Sequence, residues 1–313
     1  MATRPVVVGA DGSEESLRAV EWAAREANRH GAPLRIVSAP AMPPRMWAND
    51  AGPQGVARAL GSAPRRALGE AITRSKEVAP DLLIDTDQLT GPPALAVTGS
   101  GSGALMLVVG ARGVGGFAAL LLGSVSRYAA MHASCPVVVV REETGAVHNE
   151  VAVGVRDPHD ATATLPFAFE EAALRGATLV AVHAWYWFPS GFGDPGADDP
   201  GADDYGAGDS GAGDSGAGET AGHMTDAGHI SAVASRNLTE ALRKWREKYP
   251  AVPVREDVVH GHPGRVLASY TARADLVVIG RHGGHDTGPA IGAVQHAVLN
   301  HAHGPVAIVP VQS

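Results

Sequence analysis

The chain of 313 residues contains a single cysteine, Cys135, and few aromatic residues, 5% in all. One thiol excludes an internal disulfide and suits a reducing compartment. Cys135 and Pro136 come directly before an apolar run. This position favours a small buried residue over a reactive thiol. No apolar run approaches the roughly 18 residues of a membrane-spanning helix, and the N-terminal segment lacks the charged-then-apolar pattern of an export signal. We therefore expect a cytoplasmic protein with no membrane partner.

Basic residues are outnumbered, since 25 Lys and Arg stand against 33 Asp and Glu and give a formal net charge of −8. Neither basic clusters nor nucleic-acid-binding motifs occur, so we expect no nucleic acid partner. The negative charge is concentrated in residues 191–220, six five-residue units with eight acidic side chains and no Lys or Arg. Such a segment buries too little apolar surface to fold, so a disordered insertion is predicted at about 189–226. A calcium-binding nonapeptide array is disfavoured because the period is five.

The sequence repeats itself with a period near half its length. The run VVVG at 6–9 recurs as VAVG at 151–154, and MLVVG at 106–110 recurs as LVVIG at 276–280. The offset between the copies is 145 over the first strand, helix and second strand. It is 170 around the later glycines, because the second copy carries the insertion. Two copies of one ancestral domain are therefore predicted, with bounds at 1–143 and 149–313.

Each copy alternates short Val, Ile and Leu runs with helical patterns, which is typical of parallel strands joined by crossover helices. In the first copy we predict strands near 5–9, 34–38, 82–87, 105–109 and 137–140 and helices near 13–29, 56–79, 92–100 and 124–133. Right-handed crossovers then give a doubly wound α/β sheet, with ligands expected at the carboxyl ends of the strands. In the second copy, Trp245 and Tyr249 continue the apolar stripe of a helix and are predicted to be core anchors.

A glycine-rich loop follows the fourth predicted strand. The apolar run ends in Gly110-x2-Gly113, and nine residues later Gly123-Ser124 opens a helical stretch. Glycines permit close approach of the backbone to a ligand, and amides at a helix N-terminus favour an anion. The pattern predicts a phosphate cradle made of main chain, distinct from both a P-loop and a dinucleotide fingerprint. The alternative is that these glycines only shape tight turns.

The spacing Gly110-x2-Gly113-x9-Gly123-Ser124 resembles the ATP-binding motif of the universal stress protein family. The resemblance covers nearly the whole chain apart from the insertion. It implies two tandem flavodoxin-like domains, each a doubly wound, parallel five-stranded sheet with strand order 3-2-1-4-5. It also implies that the last strands of the two domains pair, here Val137–Val140 with Val306–Val309. A homodimer is a second mode of association that the sequence leaves open.

The resemblance also implies which residues hold the nucleotide. Asp11, at the end of the first strand, would contact the ribose, although its alternative role is to cap the first helix with Ser13. Arg112 would either neutralise a phosphate or face water. ATP is the expected ligand, with Mg²⁺ as an optional companion ion. The residues predicted to bind it are Ala10, Asp11, Ala39, Val109, Gly110, Arg112, Gly113, Gly123, Ser124 and Val125.

The second copy departs from this pattern. Arg156 stands at the position of Asp11, and the late motif reads Gly280-x2-Gly283-x8-Gly292-Ala293, without the serine. We therefore predict a degenerate second site. Histidines accumulate in this half, but His301 is matched by His132 in the first copy and belongs to the repeated scaffold, so no zinc site is predicted.

Catalytic machinery is missing from the first copy, and no catalytic residue is predicted. The loop contains no Lys, and no carboxylate is clearly placed for Mg²⁺ or for a water nucleophile, whereas phosphoryl transfer depends on such charge stabilisation. The leading hypothesis is a stress-response module regulated by ATP in its first domain. The alternatives are a slow adenine-nucleotide hydrolase and a non-nucleotide interaction scaffold whose sites have decayed.

Overall fold

The computed structural model describes residues 3–40, 62–113, 122–141, 147–156, 161–186, 219–281 and 292–310. In the first half, strands and helices alternate as β1 (Val6–Gly9), α1 (Glu14–Arg29), β2 (Leu34–Ser38), α2 (Ala63–Val78), β3 (Ile84–Gln88), α3 (Pro93–Ser100), β4 (Met106–Gly110), α4 (Ser124–His132) and β5 (Val137–Val140). The second half follows with β6 (Glu150–Gly154), α5 (Ala161–Arg175), β7 (Thr178–Trp185), α6 (Glu219–Lys248), β8 (Val254–His260), α7 (Pro263–Tyr270), β9 (Leu276–Arg281), α8 (Ala293–His301) and β10 (Val306–Pro310). The predicted alternation of strands and helices is confirmed.

All ten strands form one sheet with the order β3-β2-β1-β4-β5-β10-β9-β6-β7-β8. Counted within each half, this is the predicted order 3-2-1-4-5. Neighbouring strands are parallel except β5 and β10, which pair antiparallel with Val138 opposite Ala307 and Val137 opposite Ile308. The two halves are therefore joined edge to edge, and neither β5 nor β10 is left as an open sheet edge.

The helices cover both faces of the sheet. One buried apolar cluster packs α1, α2, α5 and α6 against the strands, and the other packs α3, α4, α7 and α8 against the opposite face. Trp245 and Tyr249 stack on buried Phe169, with ring centroids 6.3 and 5.6 Å apart, so their predicted role as core anchors is confirmed. Cys135 is buried, and burial raises the pKa of its thiol to about 11, as expected for an unreactive core residue.

The predicted insertion needs one correction. Helix α6 begins at Glu219, so the last eight residues of the predicted disordered segment, 219–226, are helical. The Gly/Asp unit ends at residue 218, and the following residues include Glu, Ala and Met, which have higher helix propensity. Residues 189–218 lie outside the described part of the chain, as do Gly283 and the predicted helical residues 56–61. No helix in the described ranges combines the length and apolarity needed to cross a membrane.

Candidate functional site

The loops that leave β1 and β4 meet at the carboxyl edge of the sheet. The two strands are parallel neighbours, with Val8 beside Val108. Asp11 follows β1 and Gly113 follows β4. A Cβ atom added at Gly113 would lie 2.2 Å from Asp11 Oδ2, so the carboxylate lies directly against the glycine backbone. The structure thus brings together the acidic residue and the second glycine that the sequence singled out.

Asp11 is held in place by the start of helix α1. Its Oδ1 accepts hydrogen bonds from the Ser13 amide at 2.9 Å and the Ser13 hydroxyl at 2.6 Å. Ser13 in turn caps α1, because its Oγ accepts a bond from the Ser16 amide at 3.2 Å. Capping is therefore performed by Ser13, and Asp11 supports it through one carboxylate oxygen. The other oxygen, Oδ2, lies towards the β4 loop.

Gly110 is required by packing within the protein. A Cβ atom at this position would lie 2.8 Å from the carbonyl oxygen of Glu15 and 3.1 Å from the amide nitrogen of Ser16. The end of β4 therefore touches the backbone of the first turn of α1. This contact explains the first glycine of the motif without a ligand, in line with the alternative that the sequence left open for it.

The N-terminus of helix α4 is fixed beside the exit of β4. The Gly123 amide donates to the Ala111 carbonyl at 2.7 Å, and the buried Ser126 hydroxyl donates to the Gly110 carbonyl at 2.6 Å. Gly123 is the N-cap and provides no side-chain cap, and Ser124 is exposed on the first turn. The first amides of a helix lack intrahelical acceptors, so this terminus offers donors to an anion.

The remaining predicted residues surround these loops. Ala10 is buried, and its amide donates to the Val37 carbonyl at 2.8 Å. Ala39 follows β2 and is half-buried, Val109 is buried in β4, and Val125 packs against the core from α4.

Arg112 has a partner within the protein. Its Nη2 lies 3.5 Å from Glu15 Oε1, so an approaching phosphate would compete with this carboxylate. Sequence reasoning missed both Glu15 and Ser126 as neighbours of the loop. Ser126 lies in the run Gly123-Ser124-Val125-Ser126, where a second hydroxyl was the available signal.

The second half has a cavity at the corresponding edge of the sheet. Its volume is about 310 Å³, and the residues that line it are Val155, Arg156, His183, His229, Ile230, Val233, Ala234, Asn237 and Leu238. His183 Nδ1 donates to the Val155 carbonyl at 2.9 Å. Gln295 takes the place of Ser126, since its Nε2 donates to the Gly280 carbonyl at 2.7 Å. Whether this half is a degenerate site stays a prediction.

Comparison with known proteins identifies the family. The universal stress protein family model matches residues 2–141 and again 149–310. A universal stress protein of Mycobacterium tuberculosis strain H37Rv is 34% identical over 320 residues, which cover 97% of this chain and 96% of the relative. The crystal structure of a universal stress protein from Archaeoglobus fulgidus DSM 4304 covers 100% of this chain and 98% of its own, with 16% identity and a TM-score of 0.65.

A shorter solved structure matches part of the chain. It is a universal stress protein in complex with cAMP, 34% identical, which covers 45% of this chain and 98% of its own at a TM-score of 0.35. The family model matches both copies of the repeat, and the tuberculosis relative matches nearly the full length. The chain therefore belongs to the universal stress protein family, as a tandem member with two copies of the domain.

Proposed function

We propose that the first half of this protein binds ATP and acts as a nucleotide-dependent regulatory module of the stress response. The observation that carries the proposal is the convergence of Asp11 and Gly113, where Asp11 Oδ2 lies 2.2 Å from the position of a Cβ on the glycine. The carboxyl edge at which two central strands of a doubly wound sheet meet is the usual place for a ligand.

The site divides into three parts. Asp11 would accept bonds from ribose hydroxyls, because its carboxylate lies at the carboxyl end of β1 and is held there by Ser13. The backbone after β1 and β2, at Ala10 and Ala39, would face the adenine. The first-turn amides of α4 and the hydroxyl of Ser124 would receive the phosphates.

The site offers little positive charge to balance the phosphates of ATP. Arg112 is the single basic residue between β4 and α4, and it is shared with Glu15 at 3.5 Å. We therefore propose that Mg²⁺ accompanies ATP and neutralises the phosphates. The absence of Lys from residues 111–123 favours retention of ATP over rapid hydrolysis, since phosphoryl transfer depends on stabilising charge in the transition state.

The two domains, assigned to 1–143 and 149–313, would act as one cytoplasmic unit through the β5–β10 pair. Because this pairing uses both of those strand edges, a homodimer would have to form through another surface.

Isothermal titration calorimetry of the nucleotide-free chain with MgATP tests the proposal. We expect about one equivalent per chain with a dissociation constant near micromolar, or about −8 kcal/mol. Asp11→Asn keeps one oxygen for Ser13 but replaces the other with a donor, so ATP affinity should fall about tenfold or more. Glu14→Gln, an exposed carboxylate three residues further on, is the matched control and should bind ATP as the wild type does.

Three outcomes would contradict the proposal. Absence of binding at millimolar ATP would favour the scaffold with decayed sites. Two ATP sites of equal affinity would contradict the proposed restriction of ATP binding to the first half. Sustained phosphate release from bound ATP would favour the hydrolase.

A further inference from the structure

A buried polar cluster joins the two halves away from the nucleotide edge. Helix α1 contributes Glu26 and its C-cap residue His30, and helix α5 contributes Glu171 and Arg175. With the repeat offset of 145, Glu26 corresponds to Glu171 and His30 to Arg175. These four residues, called the junction cluster below, therefore occupy equivalent positions in the two copies, and their side chains meet between the halves.

The cluster is almost closed to solvent, with exposed side-chain fractions of 0% for Glu26, 1% for Glu171, 5% for Arg175 and 8% for His30. Arg175 contacts both carboxylates on one side, with Nη2 2.6 Å from Glu26 Oε2 and Nη1 against Glu171 Oε2. The partly exposed Arg29 contacts the same Glu26 Oε2 at 3.0 Å. Both Oε2 atoms are thus paired with guanidinium groups.

The Oε1 atoms turn towards His30 instead. His30 Nε2 lies 3.0 Å from Glu171 Oε1 and 3.5 Å from Glu26 Oε1. Glu26 Oε1 is buried without a hydrogen-bond partner among the described residues. A single imidazole N–H at Nε2 can satisfy the Glu171 oxygen but leaves the Glu26 oxygen unpaired, and an unpaired buried carboxylate oxygen is unfavourable. A cation bound at the centre would satisfy all three atoms.

We propose that the junction cluster binds a divalent transition-metal ion through His30 Nε2, Glu26 Oε1 and Glu171 Oε1. These three atoms lie within 4.8 Å of one another. Ligands at about 2.0–2.2 Å from a common Zn²⁺ are separated from each other by roughly 3–4 Å, which matches the His–Glu separations. One imidazole and two carboxylates form a donor set for Zn²⁺ and neighbouring divalent metals. Arg175 then acts as a positioning residue that holds both carboxylates by their second oxygens.

The pKa values of the cluster follow from its burial and its ion pairs. Burial alone lowers the pKa of His30, but the Glu171 and Glu26 carboxylates beside it raise it to about 9. Burial and the neighbouring charge of Glu26 raise the pKa of Glu171. The pKa of Glu26 moves the other way: burial raises it, but the bond with His30 and the charges of Arg175 and Arg29 lower it to about 2. A bound dication would replace the imidazole proton and link the first half to the second.

Zinc binding to the untagged full chain tests this inference. The protein is stripped with a chelator, dialysed, and titrated with Zn²⁺ in a non-coordinating buffer without nucleotide. We expect about one tight Zn²⁺ per chain and a rise in the thermal midpoint on binding. His30→Gln and Glu171→Gln should each weaken the binding of Zn²⁺ about tenfold or more. His132→Gln and Glu240→Gln, which change exposed residues outside the junction cluster, should leave the affinity unchanged.

X-ray absorption of the zinc-loaded wild type gives a readout that does not depend on variants. The expected shell contains only nitrogen and oxygen, with a single imidazole. Two or more imidazoles, absence of stoichiometric binding, or unchanged affinity in both cluster variants would each overturn the inference. Because no nucleotide is present, failure here is separate from failure of the ATP proposal.

Discussion

Gly110 and Gly113 exclude side chains for different reasons, although they belong to one motif. The neighbour of Gly110 is backbone, the Glu15 carbonyl at 2.8 Å, which cannot move without shifting helix α1. The neighbour of Gly113 is the end of the exposed Asp11 side chain, which can move at the cost of its bonds to Ser13. A substitution at Gly110 should therefore damage the fold, whereas one at Gly113 should damage the site.

We expect Gly113→Val to abolish measurable ATP binding while the protein stays folded. The new side chain would displace Asp11 from the loop and fill the space that the phosphates need. Gly99→Val is the matched control, since a Cβ at Gly99 meets nothing within 4 Å. Calorimetry with ATP measures the effect, and circular dichroism verifies the fold of both variants. Wild-type affinity in Gly113→Val would show that the nucleotide binds elsewhere.

Among the charged residues that the structure describes, Arg175 should contribute most to stability when no metal is present. Arg175→Met leaves Glu26 and Glu171 buried beside each other with less compensation, which should lower the free energy of unfolding by about 3–5 kcal/mol. Arg243→Met also removes an ion pair, with Glu240 at 3.1 Å, but both of these groups are exposed. The urea midpoint of this variant should therefore scarcely change. Urea denaturation of chelator-treated protein compares the two. Equal effects would mean that Arg175 is not the main counter-charge of the carboxylates.

Elements whose local signals agree were predicted almost to the residue. Helix α1 has a Ser13 cap, acidic residues in its first turn and Arg29 in its last, and the Val runs of β1, β4 and β5 are fully buried. Strand β3, for which the sequence predicts 82–87, runs from Ile84 to Gln88. The apolar pair Leu82-Leu83 misled the prediction, because β3 is an edge strand with exposed Asp residues and Leu83 is 76% exposed. An edge strand need not alternate as a half-buried strand does, so its bounds are less visible in sequence.

The insertion should be removable without loss of the fold. Because α6 begins at Glu219, the deletion should end at residue 216 and leave the helix intact. Residues 191–216 consist mainly of Gly, Ala and Asp, so the deletion should remove no side chains from the hydrophobic core. A shorter loop lowers the entropy cost of closure, so the unfolding free energy should stay within about 1 kcal/mol of wild type. Differential scanning calorimetry measures the midpoint, and a fall of several degrees would show that the segment packs on the domain.

At the scale of the whole molecule, the two halves share their core. Both buried apolar clusters contain residues from each half, and β5 and β10 contribute to both. Two arginines also cross the junction to carbonyls at the C-terminal ends of helices. Arg141 Nη2 donates to the Leu299 carbonyl at 2.6 Å, and Arg281 Nη1 donates to the Ala133 carbonyl at 2.7 Å. The halves should therefore resist unfolding together.

Pairwise contacts between distant residues mark the limit of the sequence reasoning. The residues of the nucleotide loops were predictable because glycine spacing is local. The Arg112–Glu15 pair was not, since it forms only when β4 packs beside α1. The junction cluster could not be predicted from the sequence. Glu26 and Glu171 are charged residues of two separate helices, and they become buried together only when the two halves pack.

Ile308→Ala tests whether the sheet unfolds as one unit. Ile308 is buried on β10 opposite Val137 of β5, so truncation should lower the unfolding free energy by about 2–5 kcal/mol. Hydrogen exchange in rising urea, read by mass spectrometry, reports β1 and β6 separately. If the sheet is cooperative, exchange protection in both strands falls by the same amount, although the substitution lies in the second half. Leu83→Ala is the control: because Leu83 is 76% exposed, the substitution should change neither the unfolding free energy nor the exchange protection of the two strands. Loss of protection confined to β6 would show that the two halves unfold independently in spite of their shared sheet.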